Sequence, residues 1–391
     1  RIFIKKSLLV FLYRKMIEAK EIETSIHLWR LIQKSPSRNI SGITSVTLLT
    51  SPFPDGQKYS CKHDCFYCPN EPDQPRSYLK KEPAVARANR NEFDAFRQTI
   101  DRLDSLLMCG HEIDKLEFII EGGTYTEYPI EYLERFHRDI IYTCNTYFDK
   151  VKRTPLSVQE EIVINKTTRV RIIGVCIETR PDALDDEWLY RFREWGVTRV
   201  QLGAQHVDNS ILKKINRGHT VEQLIWAIQY LYDNCFKVDI HIMPDLPGSN
   251  KNLDMEMMED IFLTDNFQPD YIKIYPCLDV QYTEIRKWKL DGRWIPYAEQ
   301  NNGQDLIDVV VYAKKLLPYW MRINRVQRDF PVANEKNNQV GYISNTIPTN
   351  FRQMVLKKLH SQGLSCKCIN CREIRDNISN PENAILKIHK Y

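Results

Sequence analysis

No apolar run in this sequence approaches the roughly 18 residues that a membrane-spanning helix needs, so a membrane protein of that kind is not expected. No convincing export signal is read in it either. Ser7–Tyr13 is apolar and follows Lys5 and Lys6, but it is short, lacks a small-residue cleavage site and runs into Arg14 and Lys15. It is expected to form one face of a helix. Net charge is scarce too: 55 Lys and Arg against 51 Asp and Glu leave +4, too little for the average to name a partner. The distribution says more. Residues 1–40 hold nine cations (Arg1, Lys5, Lys6, Arg14, Lys15, Lys20, Arg30, Lys34, Arg38) against three Glu, a footprint that suits a phosphate backbone or a solvated helix face. Position 1 is not Met, so a piece of a longer chain is expected. Eleven cysteines without an export signal point to a reducing compartment, and a cytoplasmic location is expected.

What is present begins with Cys61-Lys62-His63-Asp64-Cys65-Phe66-Tyr67-Cys68, thiols spaced C-x3-C-x2-C with an aromatic residue before the last. The absent fourth cysteine carries the meaning. Three thiolates from one loop hold three irons of a 4Fe-4S cluster and leave the fourth open to the amino and carboxylate groups of S-adenosylmethionine. Structural zinc wants four ligands. His63 could be one, but ligands this close in sequence would crowd a tetrahedral ion. A disulfide pair and plain buried thiols are the other readings of the spacing.

At 391 residues and 42% apolar content, the chain suits one large barrel plus a small extension. Short β-branched runs alternate with helical patterns, the rhythm of a parallel sheet. Expected strands are 44–50, 116–121, 170–178, 200–203, 238–243 and 271–275. Expected helices include 84–107, 130–147, 221–232 and 252–262. The fold class is α/β, a partial (β/α)6 TIM-like barrel with a basic N-terminal helical extension. In such a barrel the loops after the strands share one mouth. The cluster loop follows the first strand, and Glu121-Gly122-Gly123-Thr124 follows the second, where paired glycines let backbone groups approach a methionyl amino group. Glu178 and Arg180 end the third, an acid for ribose hydroxyls and a base for a carboxylate. Gln201 to His206, including Gln205, ends the fourth, and His241 to Gly248 the fifth. His206, His219 and His241 are expected as hydrogen-bonded rim residues.

Cys366, Cys368 and Cys371 form a C-x-C-x2-C motif that reads as a metal site or as reduced surface thiols. Cys109, Cys144, Cys176 and Cys235 have no metal spacing and are expected in the core. Arg322, Arg325, Arg328, Arg352, Lys357, Lys358, Lys367, Arg372 and Arg375 would make a second positive surface. The expected domains are a basic extension over 1–40, the barrel over 41–330 and a metal-binding segment over 331–391.

From Arg38-Asn39-Ile40-Ser41-Gly42-Ile43 through the cluster motif, Asp114-Lys115-Leu116-Glu117, Gly122-Gly123-Thr124, Ile177 to Asp182, Asn216-Arg217-Gly218-His219-Thr220, Met243 to Pro247, Lys273-Ile274-Tyr275-Pro276 and Arg325 to Pro331, the chain resembles the Elongator catalytic-subunit family. The resemblance implies a radical S-adenosylmethionine enzyme that carboxymethylates carbon 5 of the wobble uridine in a tRNA anticodon loop. It implies that Cys61, Cys65 and Cys68 bind the cluster, and that Gly122, Gly123, Thr124, Glu178, Arg180 and Gln205 hold S-adenosylmethionine. It matches Lys115 to a lysine associated with acetyl-CoA, the co-substrate. Cys277 would join Cys366, Cys368 and Cys371 around a zinc ion, stapling the C-terminal segment to the sixth strand. A 5′-deoxyadenosyl radical would take hydrogen from the acetyl group, the carbon radical would add to the base, and thioester hydrolysis would leave the carboxymethyl group. Other Elongator-like subunits or a second copy are the implied protein partners.

Three departures bear on this. The gap between the first two cysteines is shorter than in eukaryotic members, and Gln201 stands where the family commonly has Glu. The sequence also ends 20 residues past Cys371, where the family's acetyltransferase domain would begin. Either it is a piece of a longer chain, or a short homologue that takes its acetyl donor from a partner, uses another donor or has lost the reaction. The alternative to an enzyme is a tRNA-binding module with a structural cluster, active only with a partner that supplies the acetyltransferase domain.

Overall fold

The computed structural model describes residues 4–36, 41–330, 347, 350–375 and 380–388. Arg1, Arg38 to Ile40, Pro331 and the stretch 332–346 of the expected C-terminal segment lie outside the described residues. Among those described, seven parallel strands form one sheet in sequence order: β1 (Thr44–Leu49), β2 (Lys115–Glu121), β3 (Arg171–Thr179), β4 (Arg199–Gln205), β5 (Lys237–Ile242), β6 (Tyr271–Ile274) and β7 (Arg322–Arg325). Helices fill the crossovers: α1 (Lys6–Glu18) and α2 (Ile26–Ile32) before β1, then α3 (Pro83–Arg90) and α4 (Ala95–Met108), α5 (Ile130–Thr146) and α6 (Val158–Asn165), and α7 (Asp186–Glu194). After β4 come α8 (Asn209–Lys214) and α9 (Val221–Asp233), then α10 (Lys251–Leu263) after β5. Between β6 and β7 lie α11 (Glu284–Leu290), α12 (Tyr297–Gln300) and α13 (Gln304–Leu316), and α14 (Phe351–Ser361) and α15 (Ile369–Arg372) follow β7. This is the half-barrel expected from the rhythm of the sequence, with one strand more.

Period-two alternation divides each strand between two environments. Leu116, Phe118 and Ile120 of β2, Val200, Leu202 and Ala204 of β4, and Val238, Ile240 and Ile242 of β5 belong to the main core beneath the helices. Burying each large aliphatic side chain contributes about 1.5–3 kcal/mol. The opposite faces are polar and line the hollow of the half-barrel: Glu117 and Glu121, Gln201, Asp239, Lys273 and Asn324. Their charges are paired across strands. Arg199 meets Glu117 at 3.0 Å, and Asn324 donates to Asp239 Oδ2 at 2.8 Å.

The helix expected over 84–107 is two. Glu92 and Phe93 both take a left-handed φ of 55°, and Asp94 then caps α4 by accepting from Arg97 N. Cys144 and Cys176 are buried as expected, whereas Cys109 is half-buried and Cys235, beyond α9, is exposed. No helix among the described residues is long and apolar enough to cross a membrane. The α1–α2 pair docks where α4 turns into β2: Arg14 donates to Leu107 O and Gln33 to Gly110 O, each at 3.0 Å. That is the end of the sheet away from the cluster loop.

Candidate active site

The segments leaving the C-terminal ends of the strands form a cleft. Cys61, Cys65 and Cys68 line it, together with Gly122, Gly123, Thr124, Glu178, Arg180 and Gln205. The cluster loop is held from outside. Phe66 N donates to Ile215 O (3.0 Å), Asn216 Nδ2 to Asp64 O (2.8 Å) and Lys62 N to Glu127 (2.7 Å), while His63 Nε2 lies 3.0 Å from Glu127.

Each sulfur has a donor of its own. Thr124 Oγ1 donates to Cys61 Sγ at 3.1 Å, Arg180 and Arg217 point Nη1 at Cys65 Sγ from 3.7 and 3.6 Å, and Arg76 serves Cys68. Burial pushes the Cys61 and Cys68 thiols up, Cys68 to about 11, and these donors pull the other way. Three cations and a hydroxyl converging on three sulfurs suit thiolates under an iron–sulfur group, whose own charge is anionic.

The Gly122–Gly123 pair has a packing reason that comes before any ligand. A Cβ on Gly123 would stand 1.7 Å from Ser60 O, and one on Gly122 1.9 Å from Thr50 Oγ1. Bare backbone therefore lets the end of β2 close on the residue before Cys61, where Thr124 N donates to Ser60 O at 2.9 Å.

A second cavity adjoins the cleft and shares Tyr67, Ser77, Glu178 and Gln205 with it. Glu178 accepts from Tyr78 OH (3.0 Å) and meets His241 Nδ1 (3.3 Å). Burial works to raise its pKa, but His241, Lys273 and Arg328 bring it down to about 2, so it is a carboxylate at neutral pH. Gln201 accepts from Lys273 Nζ at 2.8 Å. Gln201 is thus a neutral partner for a buried lysine. His241 Nε2, Gln201 Nε2 and Asp239 Oδ1 are buried with no protein partner among the described residues, which marks a polar hollow able to take a ligand.

Not every expected residue is free to act as expected, or stands at the cleft. Arg180, expected to clasp a carboxylate of the ligand, already holds Asp182 through Nε (2.9 Å) and Nη2 (2.7 Å). Lys115 opens β2 at the end opposite the cleft and borders a separate apolar groove with Ile141, Ile162 and Trp195. Of the histidines, His206 faces Asp254 at 3.2 Å. Arg322, Arg325, Arg328 and Lys358 are engaged with Glu373, Asp329, Glu82 and Asp308, so much of the expected second positive surface is neutralised locally.

Sulfurs of Cys366, Cys368 and Cys371 lie within 4.8 Å of one another, the one such group of possible metal ligands among the described residues. Sulfur donation from Cys366 and Cys371 holds Cys368 down toward the thiolate, and Lys314 Nζ stands 3.6 Å from Cys366. Ile369 N donates to Met321 O, tying this group to the start of β7. Cys277 is not brought to it. That residue follows the far end of β6, the parallel neighbour of β7, and packs with Ile211, Leu246, Ile285 and Trp294.

Residues 59–261 match the radical SAM superfamily and residues 269–361 the radical SAM C-terminal domain. Half-barrel, thiol loop and match together define the class, a radical SAM protein. The chain is 37% identical over 350 residues to a tRNA uridine(34) acetyltransferase of Methanocaldococcus infernus, spanning 88% of this chain and 61% of that one. Another, from Dehalococcoides mccartyi, is 36% identical over 340 residues (87% and 69%), and human Elongator complex protein 3 is 31% identical over 355 (88% and 60%). Among solved structures, the archaeal Methanocaldococcus infernus Elp3 with an N-terminal deletion superposes with a TM-score of 0.68 at 34% identity, covering 85% of this chain and 66% of that one. The chain belongs to the family of Elongator catalytic subunits and tRNA uridine(34) acetyltransferases. It spans 61% and 60% of the length of the first two curated relatives.

Proposed function

We propose that this protein carries the radical half of a tRNA wobble-uridine modification, the carboxymethylation of carbon 5 with acetyl-CoA as acetyl donor. The observation that carries the reading is the joining of two cavities through Glu178 and Gln205, one lined by the three thiols and the other lined by Tyr78, Glu121, His241 and Lys273. Cys61, Cys65 and Cys68 would hold a 4Fe-4S cluster. When bound, that cluster supplies one electron for cleaving S-adenosylmethionine to methionine and a 5′-deoxyadenosyl radical.

The remaining tasks fall to this chain's residues. Glu178, held ionised, accepts hydrogen bonds from ribose hydroxyls, and Tyr78 and His241 keep its carboxylate turned into the cavity. Gln205 lies at the junction, where its amide can orient the adenosyl group toward the substrate base. Lys115 stands apart from the reacting atoms, so a contact with acetyl-CoA would be with the carrier rather than with the acetyl carbon. Cys366, Cys368 and Cys371 would bind zinc with a fourth ligand other than Cys277. Cations of the first 40 residues and Arg352, Lys357 and Lys367 would meet tRNA phosphates, in a cytoplasmic setting. The residue spans 1–40, 41–330 and 331–391 serve as extension, barrel and metal-bound tail.

The test uses reconstituted protein, dithionite, S-adenosylmethionine, acetyl-CoA labelled in the acetyl group and tRNA. Label entering tRNA only when S-adenosylmethionine is present is the expected result. Formation of 5′-deoxyadenosine without labelled tRNA would give the radical a different acceptor or donor. A loaded cluster that never yields 5′-deoxyadenosine would favour the tRNA-binding module.

A further inference from the structure

Of the arginines that approach the cluster loop, two are neutralised where they stand. Arg180 is bonded twice to Asp182, and Arg76 pairs with Asp64. Arg217 differs. It is 6% exposed, and among the described residues no carboxylate oxygen lies within 4.0 Å of its guanidinium. Its Nε and Nη2 both donate to Gly203 O, at 3.2 and 2.6 Å, and this fork aims Nη1 at Cys65 Sγ, 3.6 Å away. Asp182, already bonded twice to Arg180, acts on Arg217 only from beyond ion-pair distance, and the group that the free N–H of Arg217 faces is a cysteine sulfur; a buried cation costs several kcal/mol unless an anion faces it.

The backbone is shaped for this reach. Asn216 and Gly218 take left-handed φ values of 55° and 88°, so the chain turns sharply on either side of Arg217. Ile215 O and the Asn216 amide bind the cluster loop at Phe66 N and Asp64 O, locking the turn to the loop it serves. Gly203 sits inside β4, where a glycine weakens the strand and marks a close approach. A Cβ there would meet Arg217 Nη2 at 2.6 Å. The charge is felt next door: burial, then Arg217 and Arg180, push the pKa of buried His219 down to about 2, against the opposing pull of Asp182.

We infer that Arg217, seated by the bare backbone of Gly203, sets the reduction potential of the cluster by placing a positive charge that no carboxylate pairs directly, and an N–H donor, on the Cys65 sulfur. This rests on the cluster reading above. One-electron reduction takes a 4Fe-4S core carrying three thiolates from a net charge of −1 to −2, the electron coming from an external one-electron reductant. A fixed cation stabilises the product more than the reactant, and hydrogen bonds to ligand sulfur act in the same direction. Arg217 is a positioning residue here; it touches the ligand sulfur and no reacting atom.

The experiment takes the full chain and its Arg217→Gln, Arg217→Lys and Gly203→Ala variants through anaerobic reconstitution. Iron content and the electron paramagnetic resonance signal after titanium(III) citrate verify loading, and a redox titration of that signal gives the midpoint. Arg217→Gln is expected to make the cluster at least tenfold harder to reduce, a shift of about 59 mV to more negative potential for one electron. Gly203→Ala keeps the charge but displaces it, so a smaller shift of the same sign is expected, and Arg217→Lys falls between wild type and Gln. Loaded variants that all titrate at the wild-type midpoint would overturn the inference, even if they lose activity. Should Arg217→Gln fail to load, the other two variants decide in the same way. Failure of the wild type to hold iron overturns the cluster reading and this inference together, and iron content tells the two failures apart.

Discussion

Two cysteine triads of similar spacing lie at opposite ends of the sheet, and their surroundings differ in kind. At the mouth, Cys61, Cys65 and Cys68 are kept apart and each is met by a different donor from a different element. At the start of β7, Cys366, Cys368 and Cys371 gather within 4.8 Å and bond to one another. Tetrahedral zinc with Zn–S near 2.3 Å brings its sulfurs to about 3.8 Å, so the gathered triad suits a single ion. Sulfurs that each bind a different iron must stand wider. Spacing in sequence reads alike for both; the donors around the sulfurs and the distances between them tell the two triads apart.

The largest effect that would break this comparison is Cys65→Ala. Bound iron is expected to fall to background and 5′-deoxyadenosine formation to drop more than about 1,000-fold, with zinc content unchanged by elemental analysis. Next comes pH. The Cys68 thiol, held up to about 11 by burial, must release a proton when metal binds, so iron loading is favoured as pH rises and lost as it falls. Between pH 7 and 9 this one proton makes loading about 100-fold more favourable at equilibrium, measurable by competition with a chelator. Gly123→Ala, which drives a Cβ into Ser60 O, is expected to cost about 2 kcal/mol in denaturant unfolding and to lower iron loading without touching zinc. Smallest is Cys368→Ser: zinc is expected to be lost, while the sulfur-to-oxygen change at this fully buried position of the main core costs about 1 kcal/mol in denaturant unfolding.

Much of this was legible in the sequence because β-branched runs announce strands that are apolar on the helix side. Strands β1 to β6 and the cluster loop are read that way. Strand β7, Arg322-Ile323-Asn324-Arg325, escapes the same test: only Ile323 is apolar, and Asn324 turns inward to Asp239. The break at Glu92 and Phe93 was hidden by residues that ordinarily continue a helix, although Asp94 could have signalled a new start. At the site, sequence supplied the thiols but not their donors. Arg217 lies in the Asn-Arg-Gly-His-Thr stretch noted for its resemblance, yet nothing local says it reaches Cys65, 152 positions away. That Arg180 is bonded twice to Asp182, two positions on, while still lining the cleft, is likewise not announced by the local sequence. Cys277 was assigned to the zinc set by resemblance, and the parallel pairing of β6 with β7 puts it at the other end.

Metal analysis of the anaerobically reconstituted protein and of Cys65→Ala and Cys368→Ser tests the central contrast most directly. The account predicts that wild type carries both iron and zinc, that Cys65→Ala loses the iron alone, and that Cys368→Ser loses the zinc alone. Zinc bound by the mouth triad, or iron lost on changing Cys368, would contradict it.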